Sequence, residues 1–278
     1  MLSNRAEKTV SINEAGLSLA SFSLKEIWAY RELLYFLTWR DIKVRYKQTA
    51  MGAAWAIIQP LFMMLVFAVF FGILIGVPTE GMPQLVFYYA GLLPWTFFAS
   101  GVVNSSMSLV NSSNLITKVY FPRILIPIAA TAAGLVDLLI ASLILLGLAF
   151  YYKLSMGWSV LITPLLLLLT IFLTLGVGVW LAALIVKYRD IRHALPFVLQ
   201  IWMFLTPIIY PVVVVPHKWR WLIHVNPLTG IVEGIRASLM GRAPDKQALM
   251  ISISITTVVL LIAIYTFRRI EKTFADLI

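Results

Sequence analysis

The chain has 278 residues, of which 61% are hydrophobic and 12% charged. A soluble domain carries about 25% charged residues, so this composition excludes an ordinary soluble protein and marks a membrane protein. The net charge of +10 gathers at the ends of apolar stretches rather than on a solvated face, which fits positive-inside orientation and anionic headgroups and argues against nucleic acid.

Residues 1–22 are polar, rich in Ser, Asn and Ala, and are expected to form a flexible cytoplasmic N-terminus without a signal peptide. Residues 23–50 are expected to be an amphipathic interface helix. On a helical wheel Leu24, Trp28, Tyr35, Trp39, Ile42 and Tyr46 fall on one stripe. Lys25, Arg40, Lys43 and Lys47 flank one side of it, Arg31 and Arg45 the other, and Glu26 and Asp41 sit behind. That layout describes a helix in the membrane surface, with aromatics in the lipid boundary and acids facing water.

Residues 53–267 are read as a six-span transmembrane domain. The first span runs from Ala53 to Gly76, long enough for a hydrocarbon core of roughly 30 Å, with Pro60 expected to kink it and Gly72 and Gly76 forming a GxxxG pattern. The turn Val77–Pro83 holds only Glu80 as a charge and should be external. A second helix is expected at about Leu85–Val110, and its far end is rich in Asn and Ser. Pro122 and Pro127 break the following segment. The third span, roughly Ile124–Tyr152, carries Asp137 near its middle, and the fourth lies within Leu161–Val186. The fifth, Ala194–Val215, contains Pro196, Pro207 and Pro211 and should be bent or interrupted. Between spans five and six, 217–247 reads as an external hairpin of two short helices. Trp219 and Trp221 lie at headgroup level, Asn226-Pro227 starts the second helix, and Glu233 and Arg236 are one turn apart and able to pair. Ala248–Phe267 is the sixth span, and 268–278 a cytoplasmic tail. With both termini inside, 16 of the 22 Lys and Arg residues fall on the cytoplasmic side.

Little in the chain points to catalysis. There is no GxxxxGK[ST] phosphate loop, so ATP is not bound through a P-loop of this chain. Cysteine is absent, and the three histidines are not placed with carboxylates at metal spacing; no metal site is expected. Asp137 is the one acid within a span. It reads either as part of a proton relay or as a helix-to-helix hydrogen bond, and the lack of a second ionisable group in the spans favours the hydrogen bond.

The segments RDIKVRYKQTAMGAAWAIIQPL, TKVYFPRILIP, LTPIIYPVVVVP and NPLTGIVEGIRASLMG, in this order from about residue 25 to the C-terminus, resemble the type-2 ABC transporter permeases of polysaccharide export. Lipopolysaccharide O-antigen exporters are the nearest likeness, with capsule and teichoic acid exporters more distant. The resemblance implies an all-α membrane protein with an N-terminal amphipathic interface helix, six transmembrane helices and two short re-entrant helices between helices five and six. It implies a homodimer bound to two copies of a separate ATPase subunit, which would hold ATP and Mg; no cofactor is expected in this chain. The ATPase-coupling residues it implies are Arg40, Asp41, Arg45, Tyr46, Lys47, Lys118, Tyr120, Phe121 and Arg123, where lipid-headgroup anchoring is the competing reading for the charges. Lining of the translocation path falls to Phe62, Phe67, Phe70 and Phe71 in the first span and Trp202, Phe204 and Tyr210 in the fifth. Lipid-facing or packing roles compete at each of them. The external gate would comprise Trp219, Trp221, Asn226, Pro227, Glu233 and Arg236.

The expected function is ATP-driven export of an undecaprenyl-linked glycan of O-antigen type across a bacterial cytoplasmic membrane. The alternatives are export of capsule, teichoic acid or a small hydrophobic compound. A proton-coupled secondary transporter centred on Asp137 stands outside that class, followed by a membrane enzyme.

Overall fold

Long charge-free stretches become helices here because a backbone in lipid must satisfy its own hydrogen bonds. The computed structural model describes residues 28–47, 54–119, 121–155, 157–271 and 274, and no strand occurs among them. The elements are α1 (Arg31–Lys47), α2 (Ala54–Phe67) continued by a π-helical turn (Ala68–Leu74), and α3 (Gln84–Asn111). There follow α4 (Ser113–Lys118), α5 (Leu125–Ala133), α6 (Leu135–Tyr151), α7 (Thr163–Lys187) and α8 (Ile191–Leu205). The last three are α9 (His217–His224), α10 (Pro227–Leu239) and α11 (Lys246–Glu271). Among the described residues, five stretches are long and apolar enough to cross a membrane: 57–74, 84–111, 125–151, 158–187 and 246–271. The expected fifth span is shorter, because its helix stops at Leu205 just before Pro207.

α3 is the centre of the bundle. Of its apolar window 78% is buried, against 22–39% for the other four spans. It packs chiefly on α7, where small residues let the backbones approach: a Cβ on Gly178 would lie 2.6 Å from Ser105 Oγ. Ser105 in turn donates to the Pro127 carbonyl at 3.1 Å, tying α3 to α5. The polar end of the second span is thereby explained in part. Ser105, Ser106 and Ser108 are buried and bonded to backbone carbonyls, while Asn104, Asn111 and Asn114 face outward.

One local expectation changes. Gly72 and Gly76 do not form a helix-contact motif. Gly76 takes a φ of +74° at the end of the helix, and Gly72 abuts the Gln84 side chain. The third span holds over 125–151 with Asp137 near its middle, and a single turn residue, Gly134, divides it into α5 and α6.

α1 packs along α5, and its buried and half-buried residues Leu33, Leu34, Leu37, Thr38, Asp41, Ile42, Arg45 and Tyr46 form a stripe that recurs every three or four residues. The expected aromatic stripe is therefore split: Tyr35 and Trp39 face outward, Ile42 and Tyr46 inward. Leu37 joins Leu125 and Ala129 in an apolar cluster, and Asp137 draws the last turn of α1 inward. Asp41, expected at the back, lies on the packing stripe, and Leu24 is outside the described residues.

Candidate functional site

The last turn of α1 carries Arg45 and Tyr46 to Asp137. Arg45 Nη1 donates to one carboxylate oxygen and Tyr46 Oη to the other. Burial, then the hydrogen bond to Asp137, pushes the Tyr46 phenol up to about 12, so it remains a donor at physiological pH. The three groups line a cavity of about 350 Å³ together with Trp55, Gln59, Thr96 and Ser100. A second cavity of about 620 Å³ shares those last four residues and continues between α2, α3 and α8 past Phe62, Trp95 and Met203.

A third, polar groove of about 590 Å³ runs between α1 and the end of α3, lined by Arg40, Asp41, Asn104, Asn111 and Asn114. Arg40 pairs with Asp41 at 2.9 Å, and Lys47 and Lys118 are exposed. Phe121 is buried instead, in one cluster with Leu37, Ile116, Phe267 and Phe274, and presents no surface to a partner. Arg123 is committed to the end of α11: its Nη1 donates to the Glu271 carbonyl at 2.8 Å, its backbone N–H to Glu271 Oε1 at 3.3 Å, and its guanidinium lies over Phe274. Tyr120 lies outside the described residues. Arg123→Ala is expected to loosen the last turn of α11 by about 1 kcal/mol. Hydrogen exchange should show faster opening at 268–271 and an unchanged α3.

At the other end of the bundle, two polar residues hold the broken end of α8. Asn226 caps α10, accepting from Leu228 N–H at 3.1 Å, and the same oxygen accepts from Trp202 Nε1 at 3.0 Å. Its amide nitrogen donates to Thr206 Oγ1 at 2.8 Å. Arg236, 5% exposed, pairs with Glu233 at 3.0 Å. It also donates to the Pro207 and Ile208 carbonyls at 2.7 and 2.8 Å and to the Phe87 carbonyl at 3.3 Å, with its guanidinium 3.6 Å from the Phe87 ring centre. Pro227 opens α10, whose residues are mostly buried among α3, α7 and α11, whereas Trp219 and Trp221 on α9 are exposed.

The aromatic residues of the expected path divide. Phe62, Phe70 and Phe204 are exposed. Phe67 is in the core, edge-on to Tyr88. Phe71 packs partly on Phe67. Trp202 is spent on Phe98 and Asn226, and Tyr210 donates to the Phe204 carbonyl.

A family model described as ABC-2 type transporter matches residues 32–240, most of the chain. The chain belongs to the ABC-2 type transporter family. Relatives similar to this ABC-2 transporter include the O-antigen export system permease protein RfbA of Myxococcus xanthus, 28% identical over 91% of this chain and 98% of the relative. The protein of that name from Klebsiella pneumoniae is 26% identical over 89% and 95%, respectively. The polysialic acid transport protein KpsM of Escherichia coli is 25% identical over 84% and 91%.

In this transporter Asp137 gathers Arg45 and Tyr46, which sequence reasoning assigned to a different surface from Asp137. A signal was present: a lone acid within a span calls for a donor, and an Arg-Tyr pair ends the preceding helix. The reach of Arg236 to the carbonyls at the Pro207 break had a weaker one. A proline-broken helix frees backbone groups, and an arginine on the next buried helix can satisfy several at once.

Proposed function

We propose that this chain is the permease subunit of an ATP-driven exporter that moves a lipid-linked polysaccharide of O-antigen type across the bacterial cytoplasmic membrane. The observation that carries the reading is the near full-length similarity to O-antigen export permeases, together with the family match over 32–240. The similarity to a polysialic acid transport protein supports a capsule-type polysaccharide as the second reading.

On this reading α8 is the fifth of six spans, shortened by Pro207, and α9 and α10 are re-entrant helices on the external side. Both termini are cytoplasmic, and two copies of the chain work with two copies of a separate ATPase that binds ATP and Mg. The α1 helix and the 111–123 connection take up the ATPase movement. Arg40, Lys47 and Lys118 are the exposed charges suited to that contact. Arg45, Tyr46 and Arg123 transmit the movement inward, to α6 and to α11. The exposed aromatics Phe62, Phe70 and Phe204 give a glycan flat faces on which to slide, and an undecaprenyl-type carrier lies alongside in the lipid.

Purification of the tagged chain from native membranes tests the subunit assignment. A P-loop ATPase should come with it in equal amounts. Arg40→Glu and Lys118→Glu should each reduce the ATPase retained or its turnover severalfold. A chain that purifies alone and moves substrate down a proton gradient would sink the proposal.

A further inference from the structure

Gln59 is an amide in an otherwise apolar span, exposed at the point where α1, α2, α3 and α6 converge, and it hydrogen-bonds no described residue. An amide left without partners in hydrocarbon is costly. The cavity beside it supplies a polar setting, and its lining specifies what would fill it.

Charge is the first criterion. Arg45 and Asp137 neutralise one another, and the remaining lining groups are uncharged. A phosphate would meet no surplus cation there and would face the carboxylate. Hydrogen-bonding capacity is the second. The hydroxyl protons of Thr96 and Ser100 go to the Leu93 and Phe97 carbonyls at 3.2 and 3.3 Å, which leaves their oxygens as acceptors. The Gln59 amide adds two donors and an acceptor, and the guanidinium of Arg45 keeps donors beyond the one spent on Asp137. Such a mixture suits hydroxyl groups, each of which both donates and accepts. Shape is the third. Trp55, 51% exposed, offers a flat apolar face to both cavities. The volume of about 350 Å³ lies at the small end of ligand pockets, which run from about 300 Å³ upward, so it admits a short ligand and not a polymer segment.

We propose that this cavity is a subsite for an uncharged sugar ring, stacked on Trp55 and hydrogen-bonded by Gln59, Ser100 and the Arg45–Asp137 pair. The inference rests on the polysaccharide-export reading and adds to it where, and by what chemistry, the glycan is first held.

The test uses the whole complex with its ATPase in phospholipid vesicles, titrated with lipid-linked polysaccharide extracted from the producing cells. ATPase stimulation gives a half-maximal concentration. Trp55→Ala and Gln59→Leu should each raise it about tenfold, and Trp55→Tyr, which keeps a flat ring, should bring it back to within about threefold of wild type. Unchanged half-maximal concentrations in Trp55→Ala and Gln59→Leu would overturn the subsite. So would a Trp55→Tyr variant as weak as Trp55→Ala. An effect that follows the anionic lipid content of the vesicles, and not the polysaccharide, would assign the cavity to a lipid headgroup instead. A wild-type complex that no polysaccharide stimulates would fail the export reading itself, an outcome distinct from the other three.

Discussion

Arg236→Ala is expected to destabilise the folded chain by about 3 kcal/mol. The change strips the Glu233 carboxylate of its cation and removes the donors held by the Pro207 and Ile208 carbonyls. It also vacates the face of Phe87. Arg236→Lys should recover little, because one ammonium cannot reproduce a planar fork aimed at several acceptors. Glu233→Gln should be milder, since an amide still accepts from the guanidinium. Thermal unfolding of the detergent-solubilised protein checks this order: wild type highest, Glu233→Gln next, then Arg236→Lys and Arg236→Ala. An Arg236→Ala protein that melts with wild type would remove Arg236 from its place as the clamp between α8 and α10.

Asp137→Ala is expected to cost about 2 kcal/mol, less than a fully buried pair, because the two side chains are 28% and 32% exposed. It leaves Arg45 and the Tyr46 phenol without their acceptor at the junction of α1 and α6. The double variant Arg45→Leu/Asp137→Leu should be more stable than Asp137→Ala, since no unpaired charge remains. Asp137→Asn separates two mechanisms. As an acceptor within a structural junction, the amide should keep ATP-driven transport and leave its pH profile unchanged. A proton relay would lose transport while ATP hydrolysis continued.

Much of the fold follows from local chemistry that a sequence displays. Charge-free stretches mark the spans to within a few residues at α3 and α7, and Asn226-Pro227 announces the start of α10. The i,i+3 spacing of Glu233 and Arg236 is enough to expect their pairing. What stays hidden depends on which helix meets which. A helical wheel defines faces, but it was the groove of α5 and the carboxylate of Asp137 that turned Leu37 and Tyr46 inward and left Trp39 outside. For the same reason Phe67 and Phe121 looked equivalent to Phe62 and Lys118 along the chain, although two are core and two are surface. The π-helical turn at Ala68–Leu74 carries no proline that would announce it. Gly72, within that turn, lies close against the Gln84 side chain of α3.

Reconstitution is the most direct measurement of the central claim. The chain and its copurifying ATPase, placed together in vesicles loaded with lipid-linked polysaccharide, should deliver the glycan across the bilayer when ATP and Mg are supplied on the ATPase side. Delivery should cease when ATP is replaced by a non-hydrolysable analogue. Translocation that proceeds without ATP on an imposed proton gradient, or ATP hydrolysis that the polysaccharide never influences, would contradict the account.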